Sequence, residues 1–469
     1  MSLCFSPALS LPFAHHDNVR FFDKFYDPHP AGPERRDPQY AMAYLLGRPL
    51  TAEIHQIIYT HVSQIADLKI IRWLTVIIFA LSAGILANIF CTFGLSDLES
   101  LCLSVALFIL PGVQDAIIML AIQNALAVWL VLWAYLASCR GYVKDKLFVE
   151  ALIIFSLILA SMLLYPQWSF FFFVPVMVKL LIAPSRDARV IHGEILRLVL
   201  FFIGTAVFYY FYIKIFVSYN NARAGSYAFT IDLNFLYWKT IAVFSKVLPM
   251  SFNFWNFHTN PWLGWAMMGL TMILLRKRAI PCFLMMAATT SFWLLVRTDV
   301  ILHRIFFVTA VMALASFLIG ARNRYFIVGM MTLGLLTVHH LTYDNARNYY
   351  LESAFIQQRL MAHKGDFSRV HIVLARPNGK GYNGKATVDD IFNARTASYS
   401  FNTDTLNLLK GVLKNMDLPD SWKVYPCDGD QQKCVEQNPV GKSLLVTHSS
   451  KGQQVYNSPG MVLIDFNDL

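Results

Sequence analysis

Ten apolar stretches follow one another between residues 71 and 341, and charged residues fall almost entirely in the short gaps between them. They cover 71–93, 98–110, 116–138, 147–164, 169–183, 195–217, 261–275, 280–296, 301–320 and 325–341. Crossing a bilayer takes roughly 20 apolar residues in a helix. A lipid-facing backbone must satisfy its own N–H and C=O groups, which leaves a helix as the solution for runs of this length. The chain is 56% hydrophobic and 14% charged, whereas soluble domains carry about 25% charged residues. That excess of apolar sequence has to face lipid. The expectation is a multi-pass α-helical membrane protein with about ten or eleven transmembrane helices.

Basic residues in the gaps set an orientation. Arg140, Lys144 and Lys146 share one gap, Arg186 and Arg189 a second, Arg276, Lys277 and Arg278 a third, and Arg322 and Arg324 a fourth. If each run is one crossing, all four lie on one side, which the positive-inside bias makes cytoplasmic. The net charge of +10 therefore reads as a topology signal rather than as a nucleic-acid surface. The other side receives the segment around His15–Asp17, residues 111–115, 165–168, the aromatic-rich connection 218–260, residues 297–304 and the tail. An interfacial helix is expected near 236–247.

Residues 1–342 are thus expected to form a transmembrane domain with an outer first loop, 14–70. Residues 3–13 are apolar but too short to span, and read as the second half of a helix whose first half is absent. Within the loop, 39–65 has helical periodicity with one apolar face, as interfacial helices do. Residues 343–469 read as a small soluble α/β domain, with strands at 370–375, 443–447 and 461–464 and a helix at 403–416. The glycine-rich stretch 378–384 lacks the GK[ST] ending of a phosphate loop and reads as a turn. Five of the seven cysteines lie in or beside apolar runs as packing residues. Cys427 and Cys434 bracket a polar loop of the tail, where an oxidising compartment favours a disulfide. No CxxC or Cys/His cluster suggests zinc.

Chemistry has three candidate locations. Asp17, in His15-His16-Asp17-Asn18, follows an apolar half-helix directly and stands at the outer membrane boundary. Poor solvation raises the basicity of a carboxylate there, fitting it to deprotonate a sugar hydroxyl or to hold a divalent cation. A plain polar helix end is the alternative. Arg304, with Arg297, Asp299 and His303 nearby, lies just inside a helix start, where a guanidinium needs an anionic partner and suits a lipid phosphate. Snorkelling to the interface is the alternative. Tyr165-Pro166-Gln167-Trp168 forms a tight outer turn in which Gln167 can hydrogen-bond a polar substrate. An interfacial aromatic belt is the alternative. The outer pair Gln114 and Asp115 reads as an ordinary turn, Arg48 and Arg20 as surface charges, and His339-His340 as interface residues ending the last helix.

These features together resemble the GT-C superfamily of integral membrane glycosyltransferases, and within it the bacterial branch of O-antigen glucosyltransferases. The likeness rests on LPFAHHDNVRFF, with Asp17 in the acidic position of the first outer loop, and on the Gly-Arg step of GRPLTAEIHQIIYTHV before ADLKIIRWLTVIIFALSAGIL. The proline-containing LFILPGVQDAIIMLAIQNALAVWLVL, the YPQ turn and the tail segment VDDIFNARTASYSFNTDTLNLLKGVL, with Asp389, Asp390 and Phe392, continue it. The resemblance implies sugar transfer from a polyprenyl-phosphate donor to a glycan acceptor on the outer face. It makes Asp17 the general base, Arg304 and Arg297 the phosphate ligands, and His16, Gln167 and His303 substrate contacts. It implies a bacterial inner membrane with the tail in the periplasm. A transporter or lipid flippase, and a non-catalytic scaffold for envelope assembly, are the competing expectations.

Overall fold

The computed structural model describes residues 1–14, 18–22, 40, 43–44, 46–140, 147–182, 188–217, 233–254, 261–290, 294, 306–321, 323–361, 367–373, 410–416, 423–427, 445–448, 454–457 and 460–465. A short helix α1 (Ser6–Ser10) and a 3-10 turn (Val19–Phe22) come first. The amphipathic stretch of the first loop forms α2 (Pro49–His61). The long helices follow: α3 (Leu68–Thr92), α4 (Asp97–Leu107), α5 (Pro111–Ile118), α6 (Ile122–Arg140) and α7 (Leu147–Leu164). Beyond the one-turn α8 (Pro166–Ser169) come α9 (Phe173–Ile182), α10 (Ala188–Tyr212), α11 (Leu233–Ala242) and the one-turn α12 (Leu248–Ser251). The helical part closes with α13 (Pro261–Leu275), α14 (Ala279–Thr289), α15 (Phe307–Ala321) and α16 (Arg324–Met361).

Among the described residues, four helical stretches are long and apolar enough to cross a membrane: Ile65–Thr92, Ile122–Cys139, Ile195–Phe216 and Arg324–Gln358. The pair α4 and α5 makes a fifth if it counts as one span, bent by 57°. Pro111 stands at that break, where its ring and missing N–H interrupt a helix. Phe148–Leu164, Pro166–Ile182 and Phe307–Ala321 are apolar but shorter. The sequence expectation of ten or eleven full crossings is therefore revised. Apolar runs of the right length fold in part as broken or short helices, because packing against neighbours satisfies side chains that composition alone assigns to lipid.

Local signals place the helix ends. Ser96 and Glu99 form a reciprocal capping box ahead of α4, with Ser96 Oγ donating to Glu99 Oε2 at 2.6 Å and Glu99 N donating to Ser96 Oγ at 3.4 Å. Asp67 accepts from Ser63 N and Gln64 N, both at 2.8 Å, which fixes the turn that launches α3. Asn323 caps α16 by accepting from Tyr325 N at 3.0 Å. Gly47 adopts φ +77°, a left-handed conformation that favours glycine, and its carbonyl accepts from Tyr209 Oη at 2.9 Å. The Gly-Arg step thereby ties the first loop to α10.

Two sets of contacts sort the helix ends. Arg278 donates to the Leu181 carbonyl, Arg197 donates to the Ser138 carbonyl at 3.5 Å, and a Cβ on Gly320 would lie 3.1 Å from Leu274. The described ends of α9, α13 and α15 therefore lie together, and α10 is tied to the end of α6. At the other end, Thr51 Oγ1 donates to the Leu164 carbonyl at 2.5 Å, Asn18 Nδ2 to the Met119 carbonyl at 2.8 Å, and Arg72 Nη2 to the Phe13 carbonyl at 2.8 Å. At 1.5 Å rise per residue, Thr342 lies ~27 Å along α16 from Arg324, about one hydrocarbon thickness.

Beneath this second end sits an aromatic core. Trp168 stacks on Phe307 with centroids 4.2 Å apart, and Phe79 lies 5.9 Å from both Trp168 and Phe108. Trp168 is fully buried, so it belongs to this core and not to an interfacial belt. Helix α16 passes residue 342 unbroken and runs on to Met361. The expected boundary at 342 and the expected helix end at His339-His340 are both displaced by about five turns. His339 Nδ1 instead lies 3.1 Å from the Leu3 carbonyl, and His340 pairs with Asp344 at 3.6 Å on an exposed face.

In the tail, β1 (Phe367–Val373) pairs in parallel with β2 (Lys423–Cys427) and β5 (Gly460–Asp465). Strands β3 (Leu445–His448) and β4 (Gln454–Asn457) pair antiparallel. Residues 410–415 are helical. This helix lies against the helical part: Asn415 Oδ1 accepts from Ile65 N at 3.1 Å, and a Cβ on Gly411 would meet Phe22 at 2.8 Å. The glycine-rich stretch 378–384 and Asp389, Asp390 and Phe392 lie outside the described residues, and so does residue 434 of the expected Cys427–Cys434 disulfide.

Candidate functional site

The end of the assembly opposite the basic gaps holds an unusual set of buried polar groups. Arg72 enters on α3, four residues after the helix starts, and is 0% exposed. Its Cζ lies 3.6 Å over the Phe13 ring, and Nη2 holds the Phe13 carbonyl. Phe13 in turn stacks on Tyr349 of α16, with centroids 6.1 Å apart. Nε and Nη1 of Arg72 have no acceptor among the described residues. The sequence reading passed over this residue as an ordinary flank of helix two. The signal was present: an Arg inside an apolar run needs a partner or a ligand.

Gln114 and Asp115 are buried within α5, contrary to the expectation of a turn. The helix exists because Pro111 occupies its first position, where no N–H is needed. Gln114 Nε2 donates to Thr342 Oγ1 of α16 at 3.0 Å, and its Oε1 has no partner. The chain then turns through Leu120 at φ 57° into α6, a costly conformation for a side chain of this size. Gln123 and Asn124 follow at the start of α6, buried and each with an amide oxygen unmet.

Gln167 is buried in α8, held between Tyr165 and Trp168, and its Oε1 is unmet. Arg48 lies with its Cζ 3.9 Å over the Tyr165 ring, a cation–π contact. It is thus tied to the outer turn, and its Nε is buried without an acceptor, so it is not a plain surface charge. Buried polar groups are paired in the great majority of cases. Several such groups, with donors on arginine and acceptors on amides, make these elements the candidate site.

Of the residues expected from sequence to act as base, phosphate ligand or substrate contact, Gln167 is the one among the described residues, and it is buried in α8. His16 and Asp17 lie outside the described residues, as do Arg297, Asp299, His303 and Arg304. The chain enters the Asp17 stretch at Ala14 and leaves it at Asn18, and both of these are buried. Arg72 holds the near side through Phe13, and Met119 holds the far side through Asn18. Among the described residues, no three His, Cys, Asp or Glu side chains gather as metal ligands. Comparison with protein families, with curated proteins and with solved structures found no match.

Proposed function

We propose that this chain is a membrane glycosyltransferase that moves a sugar from a polyprenyl-phosphate donor to a cell-surface glycan or lipid-linked acceptor on the outer face of the membrane. One observation carries the reading: the two anchors of the Asp17 segment, Arg72 on the Phe13 carbonyl and Asn18 on the Met119 carbonyl, each hold buried side-chain atoms with no hydrogen bond among the described residues. The GT-C resemblance supplies the chemistry. Asp17 takes the proton of the acceptor hydroxyl as its oxygen attacks the anomeric carbon. The bond from that carbon to the phosphate oxygen breaks, and the electron pair leaves with the polyprenyl phosphate. Arg304 and Arg297 neutralise the charge that grows on the phosphate. His16, Gln167 and His303 orient the sugar. The tail then stands as an extracytoplasmic α/β domain, in the periplasm of a bacterial inner membrane, with Cys427 and Cys434 joined.

The test is transfer of radiolabelled sugar from a panel of polyprenyl-phosphate sugars in membranes holding the chain. Asp17→Asn should abolish transfer at equal abundance and unchanged melting temperature. Undiminished transfer by that variant removes the general-base role. The bend between α4 and α5 favours a second reading, since broken helices line the sites of transporters. Flux of a lipid-linked sugar across vesicles without transfer would choose it.

A further inference from the structure

We infer that Arg72 is a ligand-binding residue for a phosphate group presented at the outer end of the helices. The inference deepens the proposed function and rests on its reading of this end as the ligand face. Arg72 is fully buried, and among the described residues no carboxylate pairs with it. Of its three nitrogens, Nη2 reaches the Phe13 carbonyl, while Nε and Nη1 are unmet. A guanidinium carries five N–H donors in a fixed fork and keeps its charge. Burying such a group with one backbone acceptor and no anion is costly, and a bound anion explains it best.

The surroundings narrow the class of anion. The Phe13 face supports the cation at 3.6 Å, which fixes the plane of the fork. Its depth, about one turn inside α3, suits a group attached to a lipid rather than a fully hydrated ion. Phosphate accepts the charge-assisted, multi-point hydrogen bonds that a guanidinium offers. The amide oxygens of Gln114, Asn124 and Gln167, unmet among the described residues, can accept from the hydroxyl groups of a sugar. The phosphate of a lipid-linked donor, the headgroup of a phospholipid and free phosphate share this chemistry.

The experiment measures binding rather than transfer, so that its failure is distinct from failure of the transferase reading. The full chain is placed in phosphatidylcholine nanodiscs, and farnesyl phosphate, farnesol, inorganic phosphate and phosphatidylglycerol are titrated by calorimetry. Arg72→Gln should weaken farnesyl phosphate at least tenfold and leave farnesol unchanged, and Arg72→Lys should restore part of the loss. Tighter binding of farnesyl phosphate than of the other two phosphates assigns the site to the polyprenyl donor, and tighter binding of phosphatidylglycerol assigns it to a structural lipid. Because Arg72→Gln also loses the Phe13 contact, each variant is checked by its melting curve, and the Lys variant carries the comparison if the Gln variant does not fold. Equal affinity in the parent and a folded Gln variant overturns the inference. So does the absence of phosphate-dependent binding to the folded parent. A parent that binds farnesyl phosphate through Arg72 but transfers no sugar keeps this inference and loses the transferase.

Discussion

Gly112 sits where α5 presses against α15, and replacing it with alanine tests how the outer polar end is held. A Cβ there would stand 2.7 Å from Phe307 Cβ and Cδ2. Carbon atoms rest comfortably at about 3.5–4.0 Å, so one side must give by roughly 1 Å. Phe307 has little room to retreat, because its ring stacks on the buried Trp168 at 4.2 Å. Overpacking of this kind costs about 1–3 kcal/mol. The alternative is movement of α5, which carries Gln114 two residues further on. A shift of about 1 Å would stretch the 3.0 Å bond to Thr342 past useful length and cost about 1 kcal/mol more. Either way Gly112→Ala should destabilise the chain by about 1–3 kcal/mol in equilibrium unfolding from mixed micelles. A Gly112→Ala protein that unfolds with the parent refutes the packing argument.

Gln167→Ala removes a buried amide whose oxygen makes no hydrogen bond. Losing the unpaired oxygen offsets part of the cavity cost of truncation, so the variant should lose no more than about 2 kcal/mol of stability, while transfer or ligand binding falls tenfold or more. A large loss of stability with full activity would make it a packing residue. Topology is open to labelling, in a chain with Cys427 and Cys434 replaced by serine. The exposed Cys139, beside the basic gap, should react with a membrane-impermeant maleimide only after permeabilisation. A cysteine placed at the exposed position Glu53 should react in intact cells, and the reverse pattern would invert the assembly.

Much of the fold was legible in the sequence for simple physical reasons. Run 147–164 matches α7 and run 261–275 matches α13 residue for residue, because a long apolar stretch bounded by charge or proline has few ways to fold. Arg278 ties the end of α13 to α9, and Arg197 ties α10 to the end of α6. The site was harder to find. Arg72 in IIRWL and Gln114-Asp115 after Pro111 look like flanks and turns, since sequence does not say what lies across from a side chain. Gln167 was found because a proline-aromatic turn between two apolar runs confines it to one depth.

The sequence by itself determined that the chain builds apolar helices with a charged end and that a distinct, more polar tail follows. These are properties of composition and periodicity, and they act through solvation residue by residue. Only the tertiary structure decided which runs are whole helices and which are broken, that α16 continues beyond the apolar run, and that Trp168 is core. It alone brought Arg72 of α3 onto Phe13, and Gln114 of α5 onto Thr342. Those pairs are separated by 59 and 228 positions in the chain, and no local preference specifies them. They form because close packing of helices leaves each buried polar group a single set of neighbours.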